Sequence, residues 1–273
     1  MLTDEVRTFL KRHLVRLNTD AGQHFLIDEE VLADIVSAAN LRATDRIVEI
    51  GPGIGVLTRE LLKHAAHVTA IEIDGRLIPL LETFAYGNAE RVTRNKLTII
   101  HGNALHTPMP ADNYKVVANI PYHITSPLLT HLLLESETIP ESLTLLIQRE
   151  VAENICAAGS ESILAVLVKL FGKPTLVRLV PKESFLPPPE VDSAVLHIDI
   201  FKKQLVDLKT ARRVLGLAKM AFSKRRKMLG NTIGHLPGAE AALKKANIDP
   251  KRRPQTLTTD EWTALLANIH PSE

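Results

Sequence analysis

The chain holds one cysteine, Cys156, in 273 residues. That excludes an intramolecular disulfide and a cysteine-rich zinc site, and it is compatible with a reducing cytoplasm. Aromatic residues make up only 4%, so the core must be mainly aliphatic. No apolar run reaches the roughly 18 residues that a membrane span needs. Charges at Asp4, Glu5, Arg7, Lys11 and Arg12 leave no signal-peptide core at the N-terminus. These absences predict a cytoplasmic protein with no membrane partner. His101, His106 and His123 lack ligand spacing with a supporting carboxylate, so no metal site is expected. There is no internal repeat and no low-complexity tract.

What is present is unevenly spread. The net charge of +2 conceals a basic segment, residues 202–253, with 15 Lys and Arg against three acids. The 201 residues before it are net acidic, with 18 bases against 25 acids. A basic segment on an acidic body points to a polyanion, here nucleic acid, rather than to a solvated helical face alone. Its densest part is Lys224-Arg225-Arg226-Lys227, a candidate phosphate-contacting cluster.

Short apolar runs alternate with helical stretches through residues 28–180. Asp28 is placed to cap a helix through Leu32, Ile35 and Val36. Strands are predicted at 46–50, 68–72, 97–100, 115–118 and 143–147, and later at 175–180 and 191–201. Helices are predicted at 56–63 and 162–171, and from Thr125. This pattern indicates a parallel sheet covered on both faces, an α/β doubly wound fold. Pro187-Pro188-Pro189 reads as a stiff, extended connector. From about residue 204 the pattern becomes helical, broken at Gly230, Pro237-Gly238, Pro250 and Pro254. Two domains are expected, 1–203 and a small basic helical one over 204–273.

Two motifs carry chemistry. Glu49-Ile-Gly51-Pro-Gly53-Ile-Gly55 lies between a strand and a helix, where glycines let a ligand approach the backbone. Glu72 ends the next strand, where a carboxylate can accept from ribose hydroxyls. The pair marks a nucleoside-containing cofactor and leaves NAD and S-adenosylmethionine both open. Glu49 beside the glycines suits a positive methionine group, and Pro52 removes an N–H that a pyrophosphate would use. Both details favour S-adenosylmethionine. The second motif, Asn119-Ile120-Pro121-Tyr122, follows the apolar run 116–118. A carboxamide, a Pro carbonyl and a flat ring at a strand end suit a planar, amine-bearing base.

Together with Gly22-Gln23-His24-Phe25-Leu26, Phe185-Leu-Pro-Pro-Pro-Glu-Val-Asp-Ser193, Phe222-Ser-Lys-Arg-Arg-Lys227 and Arg253-Pro-Gln-Thr-Leu257, these motifs resemble the KsgA-type (RsmA) small-subunit rRNA adenine dimethyltransferases. The resemblance spans almost the whole chain. It implies a Rossmann-like S-adenosylmethionine-dependent methyltransferase sheet with a small C-terminal helical domain. It implies dimethylation at N6 of two adjacent adenosines in the 3'-terminal hairpin loop of 16S rRNA, within an immature 30S-type particle, by a monomer that releases S-adenosylhomocysteine. His24, Leu26, Gly51, Gly53, Glu72, Asn103 and Asn119 would bind the cofactor, and Asn119, Pro121 and Tyr122 would be catalytic. Tyr122 and Phe185 would hold the target base, and Lys224, Arg225, Arg226 and Lys227 the RNA. This chain departs from the family's pattern at Asn103, where Asp is usual, and at Glu161-Ser162, where Tyr-Gly is common.

Overall fold

A computed structural model describes residues 1–15, 17, 18, 22–87, 95–159, 162–224 and 226–269. The chain divides into two compact units, residues 1–152 with 175–200 and residues 153–174 with 201–273.

The first unit is built on a seven-stranded sheet of order β4-β3-β2-β5-β6-β9-β7. The strands are β2 (Arg46–Ile50), β3 (His67–Glu72), β4 (Leu97–His101), β5 (Lys115–Asn119), β6 (Ser142–Gln148), β7 (Gly172–Val180) and β9 (Ser193–Ile200). The central strands are apolar on both faces: Val48, Val116, Val117, Leu145 and Leu146 are fully buried. That is the pattern of a sheet with cover on both sides. β2 through β6 pair in parallel, but β9 runs antiparallel to β6, from Gln148 opposite Ser193 to Ser142 opposite Asp199. The sheet is therefore mixed: the five strands from β2 to β6 are parallel as expected, and β9 runs against them. No helix crosses over between β7 and β9. The link is a 3-10 turn (Lys182–Ser184), the short strand β8 (Phe185–Leu186) and the proline run, and a parallel return needs a long crossover. A bend falls at Pro187, where the run begins.

β8 pairs with β1 (Phe25–Leu26) in a separate two-stranded ribbon. Helices α1 (Leu2–Arg12), α2 (Glu29–Ala38), α3 (Val56–His64) and α4 (Ile78–Tyr86) join the sheet in one apolar cluster that includes Val6, Ile35, Leu61 and Leu81. Asp28 caps α2, its Oδ1 accepting from the N–H groups of Glu30 and Val31 at 3.0 and 3.2 Å. Such a cap satisfies helix-start donors that have no intrahelical partner. α5 (Thr125–Thr130) follows β5 and ends in a π turn, His131–Glu135. α6 (Arg149–Cys156) follows β6, and the division between the units falls within it.

The second unit contains α7 (Ile163–Phe171), α8 (Leu208–Phe222), α9 (Ala239–Lys245) and α10 (Thr259–Asn268). α7 is apolar almost all round, with six of its nine residues buried. A helix of that kind needs cover on several sides, and α8 and α10 pack against it. The sequence boundary at 203/204 leaves this helix in the first domain; its packing puts it in the second compact unit. Trp262 is wholly buried, its ring 6.1 Å from that of Phe222. α10 starts with a capping box, Thr258 and Glu261, and Glu261 is also paired with Arg252.

Candidate active site

The parallel strands reverse order between β2 and β5, and crevices form outside strand ends at such a switch point. A cavity of about 500 Å³ lies here, lined by residues 49–53, the ends of β3 and β5, the loop after β4, and residues 22–26. Its described lining contains Glu49, Glu72 and Asp74 and no Lys or Arg.

The glycine loop is shaped by its neighbours. Gly51 and Gly53 have φ of +65° and +61°, a region that side chains rarely adopt. A Cβ on Gly53 would lie 2.5 Å from the Phe25 ring. The Gly53 N–H donates to Glu72 Oε2 at 3.0 Å, and the Asp74 N–H to Oε1 at 2.8 Å. Burial still pushes the Glu72 carboxyl above its ordinary range, against those two donors. Glu49 is wholly buried, and its pKa is pushed up to about 8 by burial, with a further push from the Glu72 charge. The Thr58 hydroxyl opposes this by donating to Glu49 Oε2 at 2.6 Å. Two acids that resist ionisation, in a cavity without Lys or Arg in its described lining, form a place for a cation.

Residues 22–26 close one side. Gln23 Nε2 donates to Asp74 Oδ2 at 2.9 Å. The Asp74 carboxyl is held far below the usual range, first by Arg76 and also by Gln23. His24 Nδ1 lies 2.8 Å from the Pro187 carbonyl, which can only accept, so Nδ1 carries the proton. Leu26 is buried in the ribbon with Phe185 and lines the cavity.

Asn119 ends β5, and its Nδ2 donates to the His24 carbonyl at 3.0 Å. That fixes the carboxamide and leaves Oδ1 as its available acceptor. The Pro121 carbonyl accepts from Ile124 N–H at 3.1 Å in the following 3-10 turn, Tyr122–Ile124, and keeps its second lone pair. The Tyr122 hydroxyl meets Ser193 Oγ at 2.6 Å. Burial raises the Tyr122 pKa, and that bond opposes the shift. The rings of Tyr122 and His24 are near parallel, at 17°, with centroids 6.5 Å apart.

His24, Leu26, Gly51, Gly53, Glu72, Asn103, Asn119 and Pro121 all line this one cavity, and Tyr122 is next to it in the chain. Asn103 sits in the loop after β4, its Oδ1 accepting from Leu105 N–H at 3.0 Å. Phe185 is not brought there. It is 2% exposed, paired through β8 with Leu26, and belongs to the apolar core. Lys224, Arg226 and Lys227 are exposed in the turn after α8, in the second unit. Arg225 and Glu161 lie outside the described residues. No group of three His, Cys, Asp or Glu side chains that could hold a metal occurs among the described residues. Sequence reasoning did not single out Asp74, Thr58 or Ser193. Ser193 ends the quoted proline motif, yet its partner is 71 residues away.

A doubly wound sheet with an acid-lined crevice at its switch point defines a Rossmann-like fold with a nucleoside-type site. The family model "Ribosomal RNA adenine dimethylase" matches residues 15–270. The chain belongs to the ribosomal RNA adenine dimethylase family. It is 39% identical over 278 residues to ribosomal RNA small subunit methyltransferase A of Dehalococcoides mccartyi (strain ATCC BAA-2266 / KCTC 15142 / 195), covering 97% of this chain and 92% of that one. It is 38% identical over 271 residues to the protein of the same name from Clostridium botulinum (strain ATCC 19397 / Type A), covering 95% and 96%. Among solved structures, 23S rRNA methyltransferase ErmE superposes with a TM-score of 0.72 at 28% identity, over 90% of this chain and 99% of that one. A dimethyladenosine transferase from Plasmodium falciparum gives 0.72 at 27% identity, over 88% and 95%.

Proposed function

We propose that this protein dimethylates the N6 amines of two adjacent adenosines in the 3'-terminal hairpin loop of small-subunit rRNA, using S-adenosylmethionine. It acts as a cytoplasmic monomer on an immature small-subunit particle during ribosome biogenesis. The observation that carries the reading is the acceptor pair, Asn119 Oδ1 and the Pro121 carbonyl, beside a crevice lined by three carboxyls. A dinucleotide's pyrophosphate would find no Lys or Arg in the described lining and the charged Asp74 beside it, whereas a bound cation would draw Glu49 and Glu72 into their charged forms.

S-adenosylmethionine supplies, when bound, a methyl group already activated on a positive sulfur. Glu72 would hold its ribose, Asn103 its adenine, Gly51 and Gly53 its methionine end with Glu49 beneath, and His24 and Leu26 would form the outer wall. The target amine is a poor nucleophile because its lone pair is spread into the ring. Asn119 Oδ1 and the Pro121 carbonyl accept its two hydrogens, which favours a pyramidal nitrogen and stabilises the positive charge that develops there. After transfer the charged nitrogen is acidic enough to lose its proton to water. Tyr122 offers the stacking face, worth roughly 1–3 kcal/mol per base. A base in a loop costs least to extrude, which suits a hairpin target. Lys224, Arg225, Arg226 and Lys227 contact RNA phosphates.

The test is transfer of labelled methyl from S-adenosylmethionine to immature small subunits and, separately, to large-subunit rRNA, with the modified nucleotides mapped by mass spectrometry. Two adjacent dimethyladenosines near the small-subunit 3' end are expected. Label confined to large-subunit rRNA would replace this reading with the one the ErmE likeness favours. No label on either RNA would make the protein a binding factor.

A further inference from the structure

Tyr122 sits on a short 3-10 turn, while the atom holding its hydroxyl sits on the sheet. Ser193 is wholly buried and opens β9, directly opposite Gln148 of β6. The residue before it is fixed twice more: the Asp192 carbonyl accepts from Arg149 N–H at 3.0 Å, and its Oδ1 from Lys182 N–H at 3.2 Å. The neighbours that follow in β9, Ala194, Val195 and Leu196, are apolar and buried. A hydroxyl there is costly unless it is bonded, and the partner found is Tyr122 Oη at 2.6 Å. The other end of the Asn119–Tyr122 stretch is tied through Asn119 Nδ2 to the His24 carbonyl. The Asn119 carboxamide and the Tyr122 ring are thus each tied to a segment distant in the chain, one to residues 22–26 and the other to β9.

We propose that Ser193 is a positioning residue for methyl transfer, acting through Tyr122 to set the plane of the ring on which the target adenine stacks. The proposal rests on the adenine-methylating role given above. A phenol held only at its Cβ end turns freely about its side-chain torsions; one held also at its oxygen presents a fixed face. A misplaced base separates its amine from Asn119 Oδ1 and the Pro121 carbonyl together, so the loss falls on transfer and not on cofactor binding.

The experiment compares wild type, Ser193→Ala, Tyr122→Phe, the double variant and Ser193→Thr. Each is assayed by single-turnover methyl transfer at saturating cofactor and by calorimetric cofactor affinity. Tyrosine labelled with ¹³C at Cζ provides a third reading, since the chain has only three, Tyr86, Tyr114 and Tyr122. The expected result is a loss of about tenfold in transfer for each single variant, the range of one buried hydrogen bond. The double variant should lose no more than either single one. Cofactor affinity should stay unchanged, Ser193→Thr should restore transfer, and the Tyr122 resonance alone should shift in Ser193→Ala. Ser193→Cys, near in size and a weak partner, serves if Ala unfolds the strand. Wild-type transfer by Ser193→Ala, losses that multiply in the double variant, or an unmoved Tyr122 resonance would each overturn the proposal. Failure of the wild type to methylate small-subunit rRNA would instead sink the functional reading, and the resonance would still report whether Ser193 holds Tyr122.

Discussion

Glu49 links cofactor recognition to stability. Its carboxyl has a folded pKa of about 8 against an ordinary value of 4.5. Below 4.5 both folded and unfolded chains carry the proton and nothing is lost. As pH rises toward 8 the unfolded chain ionises while the folded one does not, so stability falls across that window and levels off above it. Glu49→Gln keeps the shape of the protonated acid. It should raise the melting temperature of the ligand-free protein little at pH 5 and by several degrees at pH 8, at roughly 2–4 °C per kcal/mol for a chain of this size. A gain independent of pH in thermal melts would count against the assigned cause. A bound cation would draw the Glu49 carboxyl into its charged form, which a carboxamide cannot adopt, so the same variant should bind S-adenosylmethionine more weakly. Asn119→Ala removes one of the two acceptors for the amine and should slow single-turnover transfer about 10²–10³-fold. The cofactor Kd should change far less, with only the tie to His24 lost. Phe185→Leu should retain transfer while lowering the melting temperature, because its ring is core; a selective loss of RNA binding would restore it to the base site.

At the level of elements, residues 22–26 act as the crevice's outer wall. Gln23→Ala cuts its bond to Asp74, a hydrogen bond to a charged group, and should weaken cofactor affinity about tenfold in calorimetry. The strands and helices around this wall were legible in the sequence because each is a run of several residues with clear periodicity. β2, β3, β4, β5 and β6 all fall where apolar runs lie between turn signals. The wall's own strand was not legible: β1 and β8 have two residues each, too short for any period, and their pairing spans about 160 residues of chain. The direction of β9 was hidden for a related reason, since alternation reports a strand but not the sense of its pairing. Glu49, Glu72 and Asn119 could be placed at one cavity from the sequence because each lies at or one residue before the C-terminal end of a parallel strand. The burial of Phe185 could not be read, because a Phe beside a proline run looks the same whether it faces a ligand or the core.

At the scale of the whole molecule, the charge asymmetry suits the division of work proposed above, cofactor and amine chemistry in one unit and phosphate binding in the other. Reversal of Lys224, Arg225, Arg226 and Lys227 to Glu should weaken small-subunit rRNA binding. It should also flatten the salt dependence, by roughly 0.7–0.9 in the log–log slope for each phosphate that is no longer neutralised. Filter binding across a salt series measures both, and cofactor affinity should not move. The β1–β8 ribbon has a consequence in the order of synthesis. Phe25 covers the glycine loop, but its pairing partner is Leu186, and the His24 ring is held by Pro187. While the chain is being made, the residues that first supply Glu49 and Glu72 therefore wait beside an open-sided crevice for the proline segment to emerge. Nascent chains stalled before residue 185 should capture no S-adenosylmethionine, and this methylase would come to its cofactor only late in its own translation.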